Sequence, residues 1–377
     1  MAERAASAQV AGSRAMRRYS RHLLIPEVGL RGQEKLSTAR VLCVGAGGLG
    51  SPVLQYLAAA GVGRIGIVDD DIVDETNLQR QTIFATADIG KPKVQVAAER
   101  IHALNPLIGV DSIGVRFDQS NARALVSLYD IVVDGTDRFE SRYLINDACV
   151  LEGRPDVYGS IFRFDGQVSV FDGRFGPCYR CLFPEPPPSG SVPSCAEGGV
   201  LGVLAGMVGT FQANEALKLI LQIGEPLRGR LLLLDALSAV VREVRFERDP
   251  DCVVCGENPS ITDICALRES PATPTSALEI EPADLLRAMG EATLLDVREP
   301  HEIVFGVLSG ALHIPASKLE SRMHELDSSQ SYIVACRVGV KSRWALGRLQ
   351  DAGFTKLQHL RGGLLAYAAL DPEFAFF

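Results

Sequence analysis

Short apolar runs alternate with stretches of helical period along the first part of the chain. Strands are predicted where β-branched residues cluster, and helices where apolar residues recur every three or four positions. The predicted strands are residues 41–44, 64–68 and 131–134, and the predicted helices are residues 51–60, 93–104, 121–129 and 138–151. Strands that alternate with helices favour a mainly parallel sheet with crossover helices, so we expect a Rossmann-like α/β fold.

Beyond residue 151, the pattern of apolar and polar positions changes twice. Two more strands are predicted at 166–171 and 230–234, separated by a proline-rich loop at 184–188 and by an apolar, glycine-rich stretch at 198–211 that resembles a buried helix. Repeated prolines then interrupt the periodicity, and strands at 292–297 and 331–335 with a helix at 342–352 indicate a second, smaller α/β unit. We therefore predict three segments, which are a domain at 1–265, a linker at 266–278 and a domain at 279–377.

Composition narrows the class of protein. The formal net charge of −8 over 377 residues disfavours an extended nucleic-acid interface. No apolar run is long enough for a membrane span, and the N-terminal residues lack the apolar region of a secretory signal, so we expect a cytoplasmic protein with no membrane partner. Nine cysteines in such a chain are not expected to form a disulfide framework.

A glycine-rich segment, Gly45 to Gly50, joins the first predicted strand to the helix behind it. Backbone amides at such a helix N-terminus favour a bound phosphate. Asp69 follows the next predicted strand, where a carboxylate can accept hydrogen bonds from ribose hydroxyls. The segment therefore predicts a nucleotide site.

Two cations follow this segment, Arg80 and Lys93. Fixed cations stabilise a polyphosphate during transfer, whereas hydride transfer has little use for them. The alternative is that both are solvated surface charges. Asp137 lies just beyond the strand at 131–134 and is a candidate partner of Mg²⁺ or polyphosphate, the alternative being that it caps the following helix.

Four cysteines form two C-x-x-C pairs, Cys178 with Cys181 and Cys252 with Cys255. Four thiolates satisfy tetrahedral Zn²⁺, and a redox role for either pair is the main alternative. The pairs are far apart in sequence, so the metal would connect a late segment to the middle of the domain.

Cys336 opens the loop between a predicted strand and helix in the C-terminal unit. The helix dipole, together with Arg337 and Lys341, is expected to lower the pKa of this thiol and make it a nucleophile. The alternative is a small buried hydrophobic side chain. Cys195 lies between the proline-rich loop and the apolar stretch, and the three cysteines that we interpret as structural are Cys43, Cys149 and Cys265.

These motifs together resemble the molybdopterin-synthase adenylyltransferases, relatives of the ubiquitin-activating enzymes. The resemblance rests on Gly45 to Gly50, Asp69, Asn77 to Arg80, Lys93, Thr136-Asp137, both C-x-x-C pairs and the segment Arg18-Tyr19-Ser20-Arg21. The segment from Asp296 to His301 and the Cys336 loop resemble a rhodanese domain. The order of the two parts is similar to that of fused adenylyltransferase-sulfurtransferases.

The resemblance implies an ATP site with Mg²⁺ and a structural Zn²⁺. The residues that it assigns to ATP and its metal are Gly47, Gly48, Asp69, Thr76, Asn77, Leu78, Gln79, Arg80, Lys93, Asp137, Arg138 and, reaching into the other subunit of a homodimer, Arg21. Arg80 and Asp137 are also expected to act in the chemical step. Arg138 stands where relatives usually carry asparagine.

The implied reaction is adenylation of the C-terminal glycine of a ubiquitin-like sulfur carrier that ends in Gly-Gly. Sulfur then comes from a persulfide on Cys336, loaded by thiosulfate or by a cysteine-desulfurase persulfide, and Cys195 is the candidate for a thioester intermediate. One alternative is adenylation or thioester formation alone, with sulfur supplied by another protein. Another is an NAD-dependent oxidoreductase. The carrier's pathway stays open among molybdenum cofactor, thiamine, cysteine, transfer-RNA thiolation and natural-product synthesis.

Overall fold

A computed structural model describes residues 14–186, 199–264, 278–303 and 306–371. These residues form two compact units, the first ending before residue 268 and the second continuing to the C-terminal side. Both units are α/β, which confirms the predicted fold class. The linker predicted at 266–278 lies almost entirely outside the described residues, and the predicted domain limits stay a prediction.

The first unit contains an eight-stranded sheet with helices between the early strands. Its strands are β1 Arg40–Val44, β2 Arg64–Val68, β3 Gly109–Ile113, β4 Ile131–Asp134, β5 Asp156–Phe162, β6 Asp165–Phe171, β7 Arg230–Asp235 and β8 Val240–Arg245. Its helices are α1 Ser20–Leu23, α2 Gly29–Thr38, α3 Gly50–Ala60, α4 Lys93–Leu104, α5 Ala122–Ser127, α6 Phe139–Leu151, α7 Tyr179–Leu182 and α8 Gly202–Leu221.

The strand order in this sheet is β3-β2-β1-β4-β5-β6-β7-β8. Strands β3 to β5 in this order are parallel, and β6, β7 and β8 add antiparallel pairs. Val44 at the end of β1 is in register with Val68 of β2 and Asp134 of β4. The loops that follow these three strands therefore leave the sheet at one edge, where parallel α/β folds bind ligands.

The predicted elements of the first unit are present, with small shifts at their ends. The predicted helix at 121–129 is shorter, and the apolar stretch at 198–211 lies largely in α8, which ends at Leu221. Strands β3, β5 and β8 were not predicted. All six residues of β8 are exposed, so this edge strand has no apolar face that a sequence pattern could reveal.

The second unit contains a five-stranded parallel sheet with the order β11-β10-β12-β13-β9. Its elements are β9 Glu279–Ile280, α9 Leu285–Ala288, β10 Thr293–Asp296, β11 Leu312–His313, α10 Leu319–Arg322, β12 Tyr332–Ala335, α11 Val340–Asp351, β13 Leu357–Leu360 and α12 Gly363–Ala368. All four residues of β12 are buried at the centre of the sheet, and Cys336 follows it directly. None of the helices among the described residues has the length and hydropathy to cross a membrane.

Candidate functional site

The glycine loop after β1 is shaped by positions that accept no side chain. Gly45 has φ of +95° and donates its N–H to the Val68 carbonyl oxygen at 2.8 Å. A Cβ atom at Gly50 would overlap the Gly45 carbonyl oxygen, and one at Gly135 would lie 2.8 Å from the same atom. The loops after β1 and β4 are therefore in close backbone contact.

The loop contains backbone N–H groups that are left open. Within the described residues, the N–H groups of Gly47 and Gly48 have no protein acceptor. These groups stand at the N-terminus of α3, whose dipole favours an anion. A bound phosphate would supply oxygen acceptors for these two N–H groups.

Asp69 lies beside the glycine loop. Its carboxylate accepts hydrogen bonds from the Ala46 N–H at 2.8 Å and from the Asp71 N–H at 2.9 Å. Burial raises the pKa of Asp69 above its usual range, although the two backbone bonds and Lys93 act in the opposite direction. Its place at the end of β2 is the one expected of a ribose-binding carboxylate.

Arg80 and Lys93 are both close to this edge of the sheet. The aliphatic part of Arg80 covers Gly48, since a Cβ atom added there would lie 3.4 Å from Arg80 Cγ, and its guanidinium donates to the Thr76 carbonyl oxygen at 3.0 Å. The Lys93 side chain is only 6% exposed and forms a 2.8 Å ion pair with Asp71. Lys93 is therefore not the solvated surface charge of the alternative interpretation.

The segment that carries Thr76 to Gln79 forms a turn against α8. Asp74 caps a short 3₁₀ helix, Glu75–Asn77, by accepting the Thr76 N–H at 2.8 Å. Leu78 and Gln79 follow, and the backbone of Gln79 packs so closely on Gly202 that a Cβ atom there would overlap it.

Asp137 and Arg138 are exposed at the end of the loop after β4. Arg138, not Asp137, is the N-cap residue of α6, and no side chain caps this helix. The alternative role of Asp137 as a helix cap is therefore wrong. Its carboxylate remains available at the edge where the glycine loop lies.

The four C-x-x-C cysteines come together around α7, which contains Cys181. Their sulfur atoms all lie within 4.8 Å of one another. The Sγ atoms of Cys178 and Cys252 are 3.6 Å apart, and those of Cys181 and Cys255 are 3.4 Å apart. Tetrahedral Zn–S bonds of about 2.3 Å place sulfurs about 3.8 Å apart, so these residues fit Zn²⁺.

The Cys336 loop surrounds its own sulfur with donors. Sγ accepts the N–H groups of Gly339 at 3.2 Å and Ser342 at 3.3 Å, and it lies 3.6 Å from the Ser342 hydroxyl oxygen. Burial nevertheless raises the pKa of Cys336, so the expectation of a lowered pKa is wrong. Desolvation of the fully buried thiol outweighs these hydrogen bonds, and Lys341 is paired with buried Glu302 at 2.7 Å.

The remaining residues singled out in the sequence are Arg21 and the cysteines outside the C-x-x-C pairs and the Cys336 loop. Arg21 is exposed on α1. Cys195 and Cys265 lie outside the described residues, whereas Cys43 and Cys149 are buried as predicted for structural cysteines.

Sequence reasoning missed several residues that build these sites. Asp71 pairs with Lys93, Ala205 of α8 lies 3.3 Å from where a Cβ atom of Gly48 would stand, and Glu302 pairs with Lys341. Only Asp71 had a local signal, as part of the acidic run after β2. The contact of Ala205 with Gly48 and the pairing of Glu302 with Lys341 join distant segments, so no local sequence pattern predicts them.

Comparison with known proteins identifies the family. Residues 19–254, more than half of the 377-residue chain, match the ThiF family model. The chain belongs to the ThiF family. Residues 281–370 match the rhodanese-like domain, so this ThiF-family member carries a C-terminal rhodanese-like domain.

Relatives of this ThiF-family chain match over most of its length. The probable adenylyltransferase/sulfurtransferase MoeZ of Mycobacterium tuberculosis is 46% identical over 372 residues, 96% of this chain and 95% of the relative. A sulfur carrier protein adenylyltransferase of Thermus thermophilus is 53% identical over 262 residues, 67% of this chain and 97% of the relative. The crystal structure of E. coli MccB with ATP aligns with a TM-score of 0.55 at 25% identity, covering 63% of this chain and 74% of MccB.

Proposed function

We propose that this protein adenylates the C-terminal glycine of a ubiquitin-like sulfur-carrier protein with ATP and then converts the acyl group to a thiocarboxylate. Family membership, the rhodanese-like domain and the names of the two curated relatives support this function. Both names are those of adenylyltransferases, which favours ATP over the nicotinamide cofactor that a glycine loop alone permits.

The open N–H groups of Gly47 and Gly48 beneath Arg80 carry the first half of the proposal. They would hold the ATP phosphates at the α3 N-terminus, with Asp69 on the ribose and Lys93, Asn77 and neighbouring residues around the polyphosphate. The carrier carboxylate attacks the α-phosphorus, the bond to the β-phosphate breaks, and acyl-adenylate and pyrophosphate form. Arg80 would stabilise the charge that develops on the leaving pyrophosphate.

Two metal ions belong to the proposal. The close cysteine sulfurs would hold Zn²⁺ as a structural ion that fastens the segment at 252–255 to the segment at 178–181. Asp137, an exposed carboxylate, has the oxygen ligands that Mg²⁺ prefers and would share the ion with ATP phosphates. Bound Mg²⁺ would neutralise phosphate charge during the transfer.

The second half of the reaction uses Cys336. Its persulfide's terminal sulfur attacks the acyl carbon, AMP leaves, and a thiol then reduces the acyl disulfide, so that one sulfur stays on the carrier. Where Cys195 forms a thioester, its thiolate displaces AMP from the adenylate first, and the terminal persulfide sulfur then displaces the Cys195 thiolate to give the same acyl disulfide. The persulfide would come from thiosulfate or from a cysteine-desulfurase persulfide. Arg21, exposed on α1, would act across a homodimer.

Carrier-dependent exchange of labelled pyrophosphate into ATP tests adenylation. We expect exchange in the wild type. In Asp137→Ala the exchange rate should fall at least about 100-fold, because the Mg²⁺ that neutralises the phosphates would lose a carboxylate ligand. Asp351→Ala, which removes an exposed carboxylate at the end of α11 in the second unit, is the matched control. Exchange without any carrier, or NAD turnover, would refute the proposal.

Mass spectrometry of the carrier tests sulfur transfer. Cys336→Ala should keep pyrophosphate exchange and lose the replacement of carrier oxygen by sulfur. Undiminished replacement in this variant would overturn the role of Cys336 and favour the alternative in which another protein supplies the sulfur.

Metal analysis of the purified protein tests the zinc assignment. We expect one Zn²⁺ per chain in the wild type and loss of most of it in Cys255→Ser, with Cys149→Ser as a control at a buried cysteine outside the cluster. Full retention of zinc in Cys255→Ser would contradict the assignment.

A further inference from the structure

The loop that carries Asp137 is held by a buried carboxylate. Asp134, the last residue of β4, is completely buried. Its Oδ1 atom accepts the Thr136 N–H at 2.8 Å and the Thr136 hydroxyl at 2.6 Å. Both bonds reach only two residues along the chain, so they close a tight turn immediately before Asp137.

The backbone on both sides of this carboxylate is held in place as well. The Asp134 carbonyl oxygen accepts Gln212 Nε2 of α8 at 2.7 Å, and the same amide group donates to the Val157 carbonyl oxygen of β5 at 3.0 Å. The Gly135 N–H donates to the Val44 carbonyl oxygen at 2.8 Å. The turn is therefore fixed to β1, β5 and α8, while Asp137 itself is exposed.

Burial of the Asp134 carboxylate is costly and raises its pKa, although the positive charge of Arg142 acts in the opposite direction. The second oxygen of Asp134, Oδ2, is buried without a hydrogen-bond partner in the described part of the chain. Desolvation of a carboxylate is unfavourable, and an apolar side chain would fill this place at lower cost. What an apolar side chain would not supply is the pair of bonds to Thr136.

We propose that Asp134 and Thr136 are positioning residues for adenylation, because their paired hydrogen bonds set where the Asp137 carboxylate stands relative to the glycine loop. The inference rests on the proposed function of Asp137 as a partner of metal-bound ATP. Neither residue touches the nucleotide in this role. Gly135 couples the two loops, since it packs against the Gly45 and Val44 carbonyl oxygens.

Hydrogen exchange tests the turn itself without any activity. In peptides that contain Thr136, Asp134→Ala should speed amide exchange by about tenfold or more, because the N–H loses its acceptor. Asp134→Asn keeps an Oδ1 acceptor and should stay within about threefold of the wild type. Equal acceleration in both variants would overturn the proposal, because the charge and not the turn would then matter.

Thr136→Val is the milder variant if Asp134→Ala fails to fold. It removes only the hydroxyl donor, and we expect kcat for pyrophosphate exchange to fall by about tenfold, since small misplacements at a reacting centre are costly. The Mn²⁺ concentration for half-saturation, measured by electron paramagnetic resonance with α,β-methylene-ATP, should rise at least about fivefold. Thr136→Ser should recover most of both losses.

The control is Thr38→Val, which removes an exposed hydroxyl on α2. Wild-type Mn²⁺ affinity and kcat in a folded Thr136→Val would contradict the proposal. Absence of carrier-dependent exchange in the wild type would instead refute the proposed function, and hydrogen exchange would still report whether Asp134 holds the turn.

Discussion

The glycine loop after β1 and the Cys336 loop after β12 are two versions of one turn. Each follows a buried central strand, and each begins a helix, α3 in the first unit and α11 in the second. In the glycine loop, the Gly47 and Gly48 N–H groups have no acceptor among the described residues. In the Cys336 loop, the Gly339 and Ser342 N–H groups point to the sulfur of the chain itself.

The direction of the backbone N–H groups suits one loop to ligand binding and the other to a nucleophilic side chain. A turn that leaves its amides open provides a place for a ligand's phosphate. A turn that directs its amides to its own cysteine stabilises negative charge on that sulfur, even though burial raises the thiol pKa. In the proposed function, the same arrangement of backbone N–H groups would bind an incoming anion in one unit and would stabilise a nucleophilic sulfur in the other.

The largest effect is expected from a variant that distorts the glycine loop. Gly50→Ala places a Cβ atom on the Gly45 carbonyl oxygen, so we expect a loss of about 3 kcal/mol in the free energy of unfolding and a collapse of ATP binding. Urea unfolding and calorimetric titration with ATP measure the two losses. Gly206→Ala, with open space around it within α8, should stabilise by up to about 1 kcal/mol. Normal ATP affinity in Gly50→Ala would show that the loop is not the phosphate site.

The next largest effect should come from the support of the Cys336 loop. A Cβ atom at Gly363 would lie 2.5 Å from the carbonyl oxygens of Cys336 and Arg337, and φ there is +68°. Gly353 has φ of +91° and open space, so Gly353→Ala should cost only about 1–2 kcal/mol of backbone strain. Gly363→Ala should cost more and slow sulfur transfer from thiosulfate to cyanide at least about tenfold. Equal rates of sulfur transfer in Gly363→Ala and Gly353→Ala would show that the contact of Gly363 with the Cys336 loop does not affect the reaction.

Local patterns predicted the strands that precede both loops and the helices that follow them, because buried strands are apolar throughout and glycine and cysteine mark the turns. They did not predict how the loops are completed. Ala205 reaches the glycine loop from α8, and Glu302 neutralises Lys341 across the Cys336 loop. The lowered pKa expected of Cys336 failed for the same reason, since both burial and the pairing of Lys341 depend on packing between distant segments.

A smaller effect is expected at the donors to sulfur. The hydrogen bond with Ser342 lowers the pKa of Cys336 against the effect of burial, so Ser342→Ala should raise that pKa further. At a fixed pH near 8, the thiolate fraction falls, and alkylation by iodoacetamide should slow by about two- to fivefold. Ser321→Ala, which removes an exposed hydroxyl from α10, is the control. An unchanged pH profile of alkylation in Ser342→Ala would show that the backbone N–H groups alone set the reactivity.

The smallest effect concerns the carboxylate beside the glycine loop. Burial raises the pKa of Asp69 in the folded protein, so the folded state holds this proton more tightly than the unfolded state does. The resulting stability is present at acidic pH and is lost as pH rises through the folded-state pKa. The unfolding free energy of the wild type should therefore fall relative to that of Asp69→Asn as the pH rises above about 4, the usual pKa of an aspartate in an unfolded chain. Urea unfolding of the nucleotide-free protein measures this difference, and Asp70→Asn makes the same charge change at an exposed neighbour. A gap that widens in favour of the wild type with rising pH would mean that the Ala46 and Asp71 N–H groups, and not burial, dominate at Asp69.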